Sequence, residues 1–261
     1  NFYIYIFIYV YMQWQVYKNP LGLLEISMNE GESITAESGS LVFIQGDIEI
    51  KTSTKIKEQG FFSRLKSTFL GKESLFLNDY IARGKCTVGF AGAALGDIEG
   101  IEVDGSYIIQ SGTYIASTEG ISMDTKFQGL TKGIFGTELF MLKMIGKGTV
   151  FVNAYGGIVR KELKSNEHMI IDNYHLVAID GNADYRVVKI GSWKTTILGG
   201  EGLGIELVGP AIVYLQSRSA LEIKSEFTKL LGIDKLQQKQ GVSFNWGTGD
   251  KQQQDLFKPN I

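Results

Sequence analysis

The sequence has few of the residues that build disulfide-stabilised or metal-centred proteins. Its 261 residues include one cysteine, Cys86, and two histidines, His168 and His175. One cysteine cannot form a disulfide within the chain, and this set is too small for a multi-cysteine zinc or iron–sulfur site. The 26 basic and 28 acidic side chains give a net charge of −2. The chain therefore lacks the basic excess that is typical of nucleic-acid-binding proteins.

Proline is also scarce, whereas residues typical of strands and glycine turns are abundant. Three prolines stand against 32 glycines, 12 tyrosines and 15 phenylalanines. Short apolar runs alternate with glycine turns, and no helical pattern of about 12 residues recurs between them. The length and the 44% hydrophobic content suffice for one large or two ordinary globular domains. The sequence therefore predicts an all-β protein built as a sandwich or barrel.

Two motifs each occur three times in the same order, which indicates three tandem β units. The first motif is a strand, a turn and a second strand, at residues 34–42, 108–115 and 169–177. The second motif begins with glycine and glutamate, at Glu73, Glu138 and Glu201, which are 65 and 63 residues apart. Because both motifs keep their order and a near-constant period, we predict a triplicated unit. The predicted unit boundaries are 12–98, 99–162 and 163–219.

Each unit is predicted to contain a β-hairpin around its second glycine turn. These turns fall at residues 82–84, 146–148 and 209–210. Apolar β-forming runs joined by a short glycine-containing connection are typical of hairpins.

The two ends of the chain differ from the predicted units. Residues 1–11 form an uncharged aromatic and β-branched run, shorter than the roughly 20 residues of a membrane-spanning helix. We predict that this extension is not part of the working fold; an edge strand and a short anchor are the alternatives. Residues 220–261 are predicted to form one amphipathic helix of about three turns and a glutamine-rich tail. The helix prediction rests on the spacing of Ile223, Phe227, Leu230 and Leu231, followed by Gly232.

An insert at residues 51–72 is the sharpest candidate for a binding surface. It carries six basic residues and one acidic residue, and four apolar residues within it follow helical spacing. Such a segment suits an anionic membrane surface or a partner. The alternative is that its phenylalanines cover the core or a subunit contact. The candidate contact residues are Lys55, Lys57, Phe61, Phe62, Arg64, Leu65, Lys66 and Phe69.

Taken together, the motifs resemble the altered-inheritance-of-mitochondria type family of β proteins. The matching stretches are 31–42, 96–98, 105–116 with 125–126, 152–156, 172–178, and 209–210 followed by 215–218, so the resemblance covers about residues 13–219. It implies a fold similar to the tryptophan-RNA-binding attenuation protein, with three short double-stranded β-helix units per chain. It also implies a homotrimeric ring of nine units. It implies no reaction and no cofactor.

Each candidate chemical site in the sequence also has a structural interpretation. Glu73, Glu138 and Glu201 would hold a cation if they converged, but each begins a strand beside glycine, so no metal site is predicted. His175 lies near Asp172 and Asp180, a pairing suited to acid–base chemistry. No nucleophile accompanies it, so no catalytic residue is assigned. Cys86 is predicted to be a small core residue.

The sequence therefore predicts a non-enzymatic oligomeric scaffold or binding module, with a trimer favoured. One alternative is a peripheral membrane protein that binds through residues 51–72. A second is an RNA-binding ring, which is disfavoured because glutamate, and not a basic residue, recurs at the repeat period. The predicted location is the cytoplasm, with membrane association as the alternative.

Overall fold

A computed structural model of the chain describes residues 12–18, 21–52, 68–70, 73–124, 141–190 and 203–232. The predicted all-β class is confirmed, since these residues form nineteen strands and one short α-helix. The chain divides into a β body that ends at Ala220 and a second unit that begins at Leu221. Residues 1–11 and the glutamine-rich tail lie outside the described residues, so their predicted roles stay predictions.

The strands of the β body follow one another closely along the chain. Before residue 98 they are β1 (Gln13–Tyr17), β2 (Leu23–Met28), β3 (Ser33–Glu37), β4 (Leu41–Gln45), β5 (Ile48–Thr52), β6 (Thr68–Leu70), β7 (Glu73–Leu75), β8 (Leu77–Ala82) and β9 (Cys86–Phe90). The next four are β10 (Ile98–Gln110), β11 (Tyr114–Thr118), β12 (Ile121–Asp124) and β13 (Met141–Asn153). The last six are β14 (Ile158–Leu163), β15 (His168–Asp172), β16 (Leu176–Asp180), β17 (Asp184–Lys189), β18 (Leu203–Val208) and β19 (Ala211–Gln216).

All pairs between the described strands are antiparallel, and these strands form four sheets. A four-stranded sheet has the order β1-β2-β9-β4. A ten-stranded sheet has the order β14-β19-β16-β10-β13-β11-β3-β8-β5, with β12 also paired to β13. A three-stranded sheet has the order β15-β18-β17, and β6 pairs with β7. The long central sheet therefore joins strands from all three predicted units.

Three apolar clusters lie between these sheets. The first is built mainly from residues before position 98, but it also includes Ile98 and Phe151. The second is built mainly from β10 to β13, and the third mainly from the strands after residue 158, together with Ile108 and Met141. Cys86 is 4% exposed in the first cluster, which confirms it as a core residue. Because each cluster takes in side chains of a neighbouring segment, each core crosses a boundary between the predicted units.

The predicted hairpins are wrong. β8 pairs with β3 and β5, whereas β9 pairs with β2 and β4, so the turn at 82–84 leads from one sheet into another. β18 and β19 are likewise divided between sheets. Local turn chemistry marks where the chain bends, but tertiary packing decides which strands pair.

At the second predicted hairpin the chain does not turn back at all. Met141–Asn153 is a single strand that pairs along its whole length with β10. Gly146 and Gly148 have φ angles of 137° and 156°. A Cβ on Gly146 would lie 2.0 Å from the carbonyl oxygen of Gly120, and one on Gly148 would lie 2.4 Å from Thr118 Oγ1. These glycines therefore allow the neighbouring turn at residues 118–121 to approach a continuous strand.

The predicted C-terminal helix is confirmed as α1 (Ala220–Leu230). Gly232, with a φ of 64°, follows it, and its amide donates to the carbonyl of Lys229. None of the helix residues is buried. Within the described parts of the chain, no helix has the length and apolar character needed to cross a bilayer.

Candidate functional site

Most residues of the predicted contact surface and of the glutamate triad lie outside the described residues. These are Lys55, Lys57, Phe61, Phe62, Arg64, Leu65, Lys66, Glu138 and Glu201. Phe69 lies in strand β6 and Glu73 begins β7. Among the described residues, no group of three histidine, cysteine, aspartate or glutamate side chains is placed to hold a metal ion.

The residues of the predicted acid–base pair are engaged separately in local structure. His175 Nδ1 lies 2.8 Å from the carbonyl oxygen of Gln216. Asp172 Oδ1 accepts a 2.8 Å hydrogen bond from the amide of Tyr174 and so caps a 3₁₀ turn, residues 173–175. Asp180 Oδ1 accepts from the amide of Asn182. Each side chain therefore fixes a turn or a strand end, and they do not form one site.

The body contains two strand junctions of the same kind, in which a later segment adds to the edge of an earlier one. In the first junction β11 pairs with β3, and Ser117 lies opposite Thr35. In the second junction β16 pairs with β10, and Ile179 lies opposite Ile108. Both are antiparallel, and all four of these residues are at most 3% exposed.

A buried hydrogen-bond group holds the first junction. The hydroxyl of Tyr114, which is 1% exposed, donates to the carbonyl oxygen of Thr35 over 3.1 Å and lies 3.0 Å from Ser117 Oγ. Burial strongly raises the pKa of the Tyr114 hydroxyl. The hydroxyl therefore stays protonated and keeps its donor at neutral pH.

The second junction is packed by apolar and aromatic side chains. Ile108 and Ile179 are 1% and 0% exposed. Close to them, the Tyr107 and Tyr214 rings meet edge to face with centroids 6.3 Å apart. Burial raises the pKa of Tyr107 to about 12. The directly opposed pair of this junction, Ile108 with Ile179, is therefore apolar, in contrast to the polar Thr35–Ser117 pair of the first junction.

Strand β4 occupies the same place in its motif as β11 and β16, but among the described residues no strand pairs with its outer edge. Leu41, Val42 and Ile44 are 36%, 55% and 38% exposed. The residues at the same motif positions are at most 3% exposed; they are Tyr114, Ile115 and Ser117 in β11, and Leu176, Val177 and Ile179 in β16. We call Leu41, Val42 and Ile44 the β4 end.

Strand β15 likewise has an outer edge that no described strand covers, and it corresponds to the other partner of each internal junction. It occupies the motif position of β3 and of the second half of β10, and it is the outer strand of the three-stranded sheet. Ile170 is 58% exposed, whereas Thr35 and Ile108 at the same motif position are 1% exposed. We call Ile170 and its strand the β15 end.

Charged side chains link the strands of the three-stranded sheet next to the β15 end. Glu206 on β18 lies opposite Ile170, and its carboxylate accepts a 2.5 Å hydrogen bond from Arg186 Nε. His168 Nδ1 lies 3.3 Å from the other oxygen of Glu206. Arg186 lowers the pKa of Glu206, so this carboxylate stays ionised over a wide pH range.

Comparison with known proteins agrees with this architecture. Residues 14–218 match the family described as Mitochondrial biogenesis AIM24. An uncharacterised protein of Streptococcus pyogenes serotype M6 is 26% identical over 201 residues, which is 75% of this chain and 81% of that protein. The crystal structure of protein SPYM3_0169 from Streptococcus pyogenes is similar with a TM-score of 0.66 and 25% identity, covering 84% of this chain and 99% of that one. The chain therefore belongs to the Mitochondrial biogenesis AIM24 family.

Proposed function

We propose that this protein is a non-enzymatic scaffold that works as a homo-oligomer assembled through the β4 end and the β15 end. One observation carries the proposal: the motif positions whose side chains are buried at both internal junctions hold apolar side chains that are 36–58% exposed at these two ends. Exposed, unprotected sheet edges are templates for pairing with another chain. A second copy of this chain offers the complementary edge.

The predicted triplication gives this proposal its basis. Three strand sets share one connectivity: β2-β9-β4, then β10 and β13 with β11, then β14-β19-β16. The partner sets are β3-β8-β5, then β10 and β13 with β12, then β15-β18-β17. In three tandem units the first and last would each lack a neighbour on one side. The β4 end and the β15 end are these two sides.

The expected strength of one contact follows from the side chains that it covers. Complete burial of an aliphatic side chain stabilises by about 1.5–3 kcal/mol. Each of the four open-end side chains is still one-third to three-fifths exposed. Each therefore contributes about 1 kcal/mol, to which strand pairing adds. A contact between two different surfaces repeats, and it gives a ring when the rotation between copies closes; the family resemblance favours a ring of three copies.

The test is the molar mass of the full chain in solution, measured by light scattering at matched micromolar concentrations. We expect the wild type to be oligomeric and Ile44→Glu to be monomeric, because a carboxylate would be buried unpaired at the contact. Ile50→Glu is the matched control, since Ile50 is 47% exposed in the middle of edge strand β5, which belongs to the ten-stranded sheet and not to the sheets of β4 and β15. A monomeric wild type, or equal effects of the two variants, would contradict the proposal.

Membrane-surface binding through residues 51–72 is a second candidate, and one observation favours it. Three antiparallel pairs, β5 with β8, β12 with β13 and β17 with β18, each have a segment between their strands. All three segments combine lysine with aromatic residues in the sequence, namely 53–67, 125–140 and 191–202. Several such segments per assembly would multiply a weak attraction to anionic lipid.

Vesicle sedimentation tests this second candidate. We expect the wild type to sediment with anionic vesicles at low salt, and less at high salt. Charge reversal at Lys55, Lys57, Arg64 and Lys66 should abolish sedimentation, whereas reversal of exposed Lys161 and Lys164 should leave it unchanged. Equal sedimentation of both variants would remove this candidate.

A further inference from the structure

We infer that the contact between copies has a fixed head-to-tail register, in which β4 of one copy pairs antiparallel with β15 of another and Ile44 lies opposite Ile170. The inference rests on the proposed function and names the partner strand and the residue pair. It separates this contact from a symmetric one, in which β4 would pair with β4 or β15 with β15.

The register follows from the two junctions inside the chain. The shared turn motif has Gly39, Gly112 and Tyr174 at one position. The residues four positions before it are Thr35, Ile108 and Ile170, and those five positions after it are Ile44, Ser117 and Ile179. At both internal junctions, the residue five positions after one turn lies opposite the residue four positions before the preceding turn. The same rule places Ile44 opposite Ile170.

The two residues also fit each other chemically. The pair at the second junction is Ile108 with Ile179, both essentially buried, so an Ile44–Ile170 pair reproduces a contact that the fold already contains. Directly opposed β-branched residues on neighbouring strands stabilise a sheet. The ring of Phe43 does not obstruct the approach, because it lies where a side chain on Gly89 would be, over β9 of its own copy.

Neither strand carries a lysine or a proline, and the register shift in β4 between Leu41 and Phe43 recurs in β11 and β16, both of which still pair at their outer edge. Leu41–Gln45 has no charged residue and no proline. His168–Asp172 has its polar residues at the two ends and Met169, Ile170 and Ile171 between them. Lysine, proline or an inward-pointing charge normally blocks edge pairing. The symmetric alternatives would leave the exposed residue of the other strand uncovered.

Cross-linking tests the register in the full chain. Directly opposed residues on antiparallel strands have Cα atoms about 4.5–5.5 Å apart, within the range for a disulfide. Under mild oxidation we expect the double variant Ile44→Cys/Ile170→Cys to form covalent oligomers on a non-reducing gel. The two single variants should stay monomeric on that gel, because Cys86 is buried. Dimers from either single variant would overturn the register and indicate a symmetric contact.

A mixing experiment tests the same inference without cysteines. Ile44→Glu disables β4 and keeps β15, whereas Ile170→Glu does the reverse. Each variant alone should be monomeric, and an equimolar mixture should give a 1:1 dimer and nothing larger. Oligomers of either variant alone, or a mixture that stays monomeric, would overturn the inference. A monomeric wild type would instead refute the proposed function, so the two failures are distinguishable.

Discussion

Substitution of Tyr114 by phenylalanine should weaken the first internal junction by a predictable amount. The hydroxyl is fully buried and serves two partners, the carbonyl oxygen of Thr35 and the hydroxyl of Ser117. Phenylalanine keeps the ring but leaves both buried groups without this partner. Leaving buried polar groups unsatisfied costs about 1–3 kcal/mol. Because the ring is retained, we expect Tyr114→Phe to lower the free energy of unfolding by about 1–2 kcal/mol.

Urea unfolding at fixed protein concentration, followed by far-ultraviolet circular dichroism, measures this loss. The double variant Tyr114→Phe/Ser117→Ala removes both hydroxyls, so it should cost less than the sum of the single variants, by about 0.5–1 kcal/mol. Tyr17→Phe is the control, because Tyr17 is 48% exposed on the outer strand β1. Additive single effects, or a loss for Tyr114→Phe no larger than for Tyr17→Phe, would refute the assigned role of this hydroxyl.

Three further predictions concern other parts of the body. Gly148→Ala should lower the free energy of unfolding by about 1–3 kcal/mol in the same urea assay, because φ is 156° and the added Cβ would meet Thr118 Oγ1. Gly84→Ala is the control, and it should cost less than about 1 kcal/mol because the space around Gly84 is open. Arg186 lowers the pKa of Glu206, so the ion pair between them stabilises the fold at pH values above the ordinary carboxylate pKa. This contribution is lost as the pH falls through the lower pKa of Glu206 in the folded state. The difference in melting temperature between wild type and Glu206→Gln should therefore shrink from pH 7 towards pH 3. Burial raises the pKa of the Cys86 thiol, so a thiol reagent at pH 8 should label it only after urea unfolds the protein, and labelling of the native protein would contradict this.

The fold class and the single helix were predictable because their signals are local. The spacing of Ile223, Phe227 and Leu230 defines one face of a helix whatever surrounds it. Short apolar runs between glycines likewise predict strands wherever those strands pair. These signals need no knowledge of the rest of the chain, and the structure confirms both predictions.

Strand pairing was not predictable from the same signals. Gly146 and Gly148 predict a turn, but both lie inside the continuous strand β13. Their positive φ angles and missing side chains allow the turn at residues 118–121 to approach this strand closely. The connection at 209–210 joins strands of different sheets. Which strands pair depends on distant packing, and a turn motif carries no information about it.

The sequence did not reveal the β4 end and the β15 end, because the exposure of a side chain depends on which strands lie beside it in the fold. Leu41, Val42 and Ile44 are as apolar as the buried residues at the same motif positions, so composition alone predicts a core strand. The signal that could have found them was the predicted triplication itself. In a linear array the first and last units each lack a neighbour, and their outer strands must be open.

Native mass spectrometry of the full wild-type chain at micromolar concentration tests the central claim most directly. The account predicts a mass of several whole copies of the chain, with three favoured, and a single-copy mass for Ile44→Glu with an unchanged circular dichroism spectrum. A wild-type mass of one copy would contradict assembly through the β4 and β15 ends.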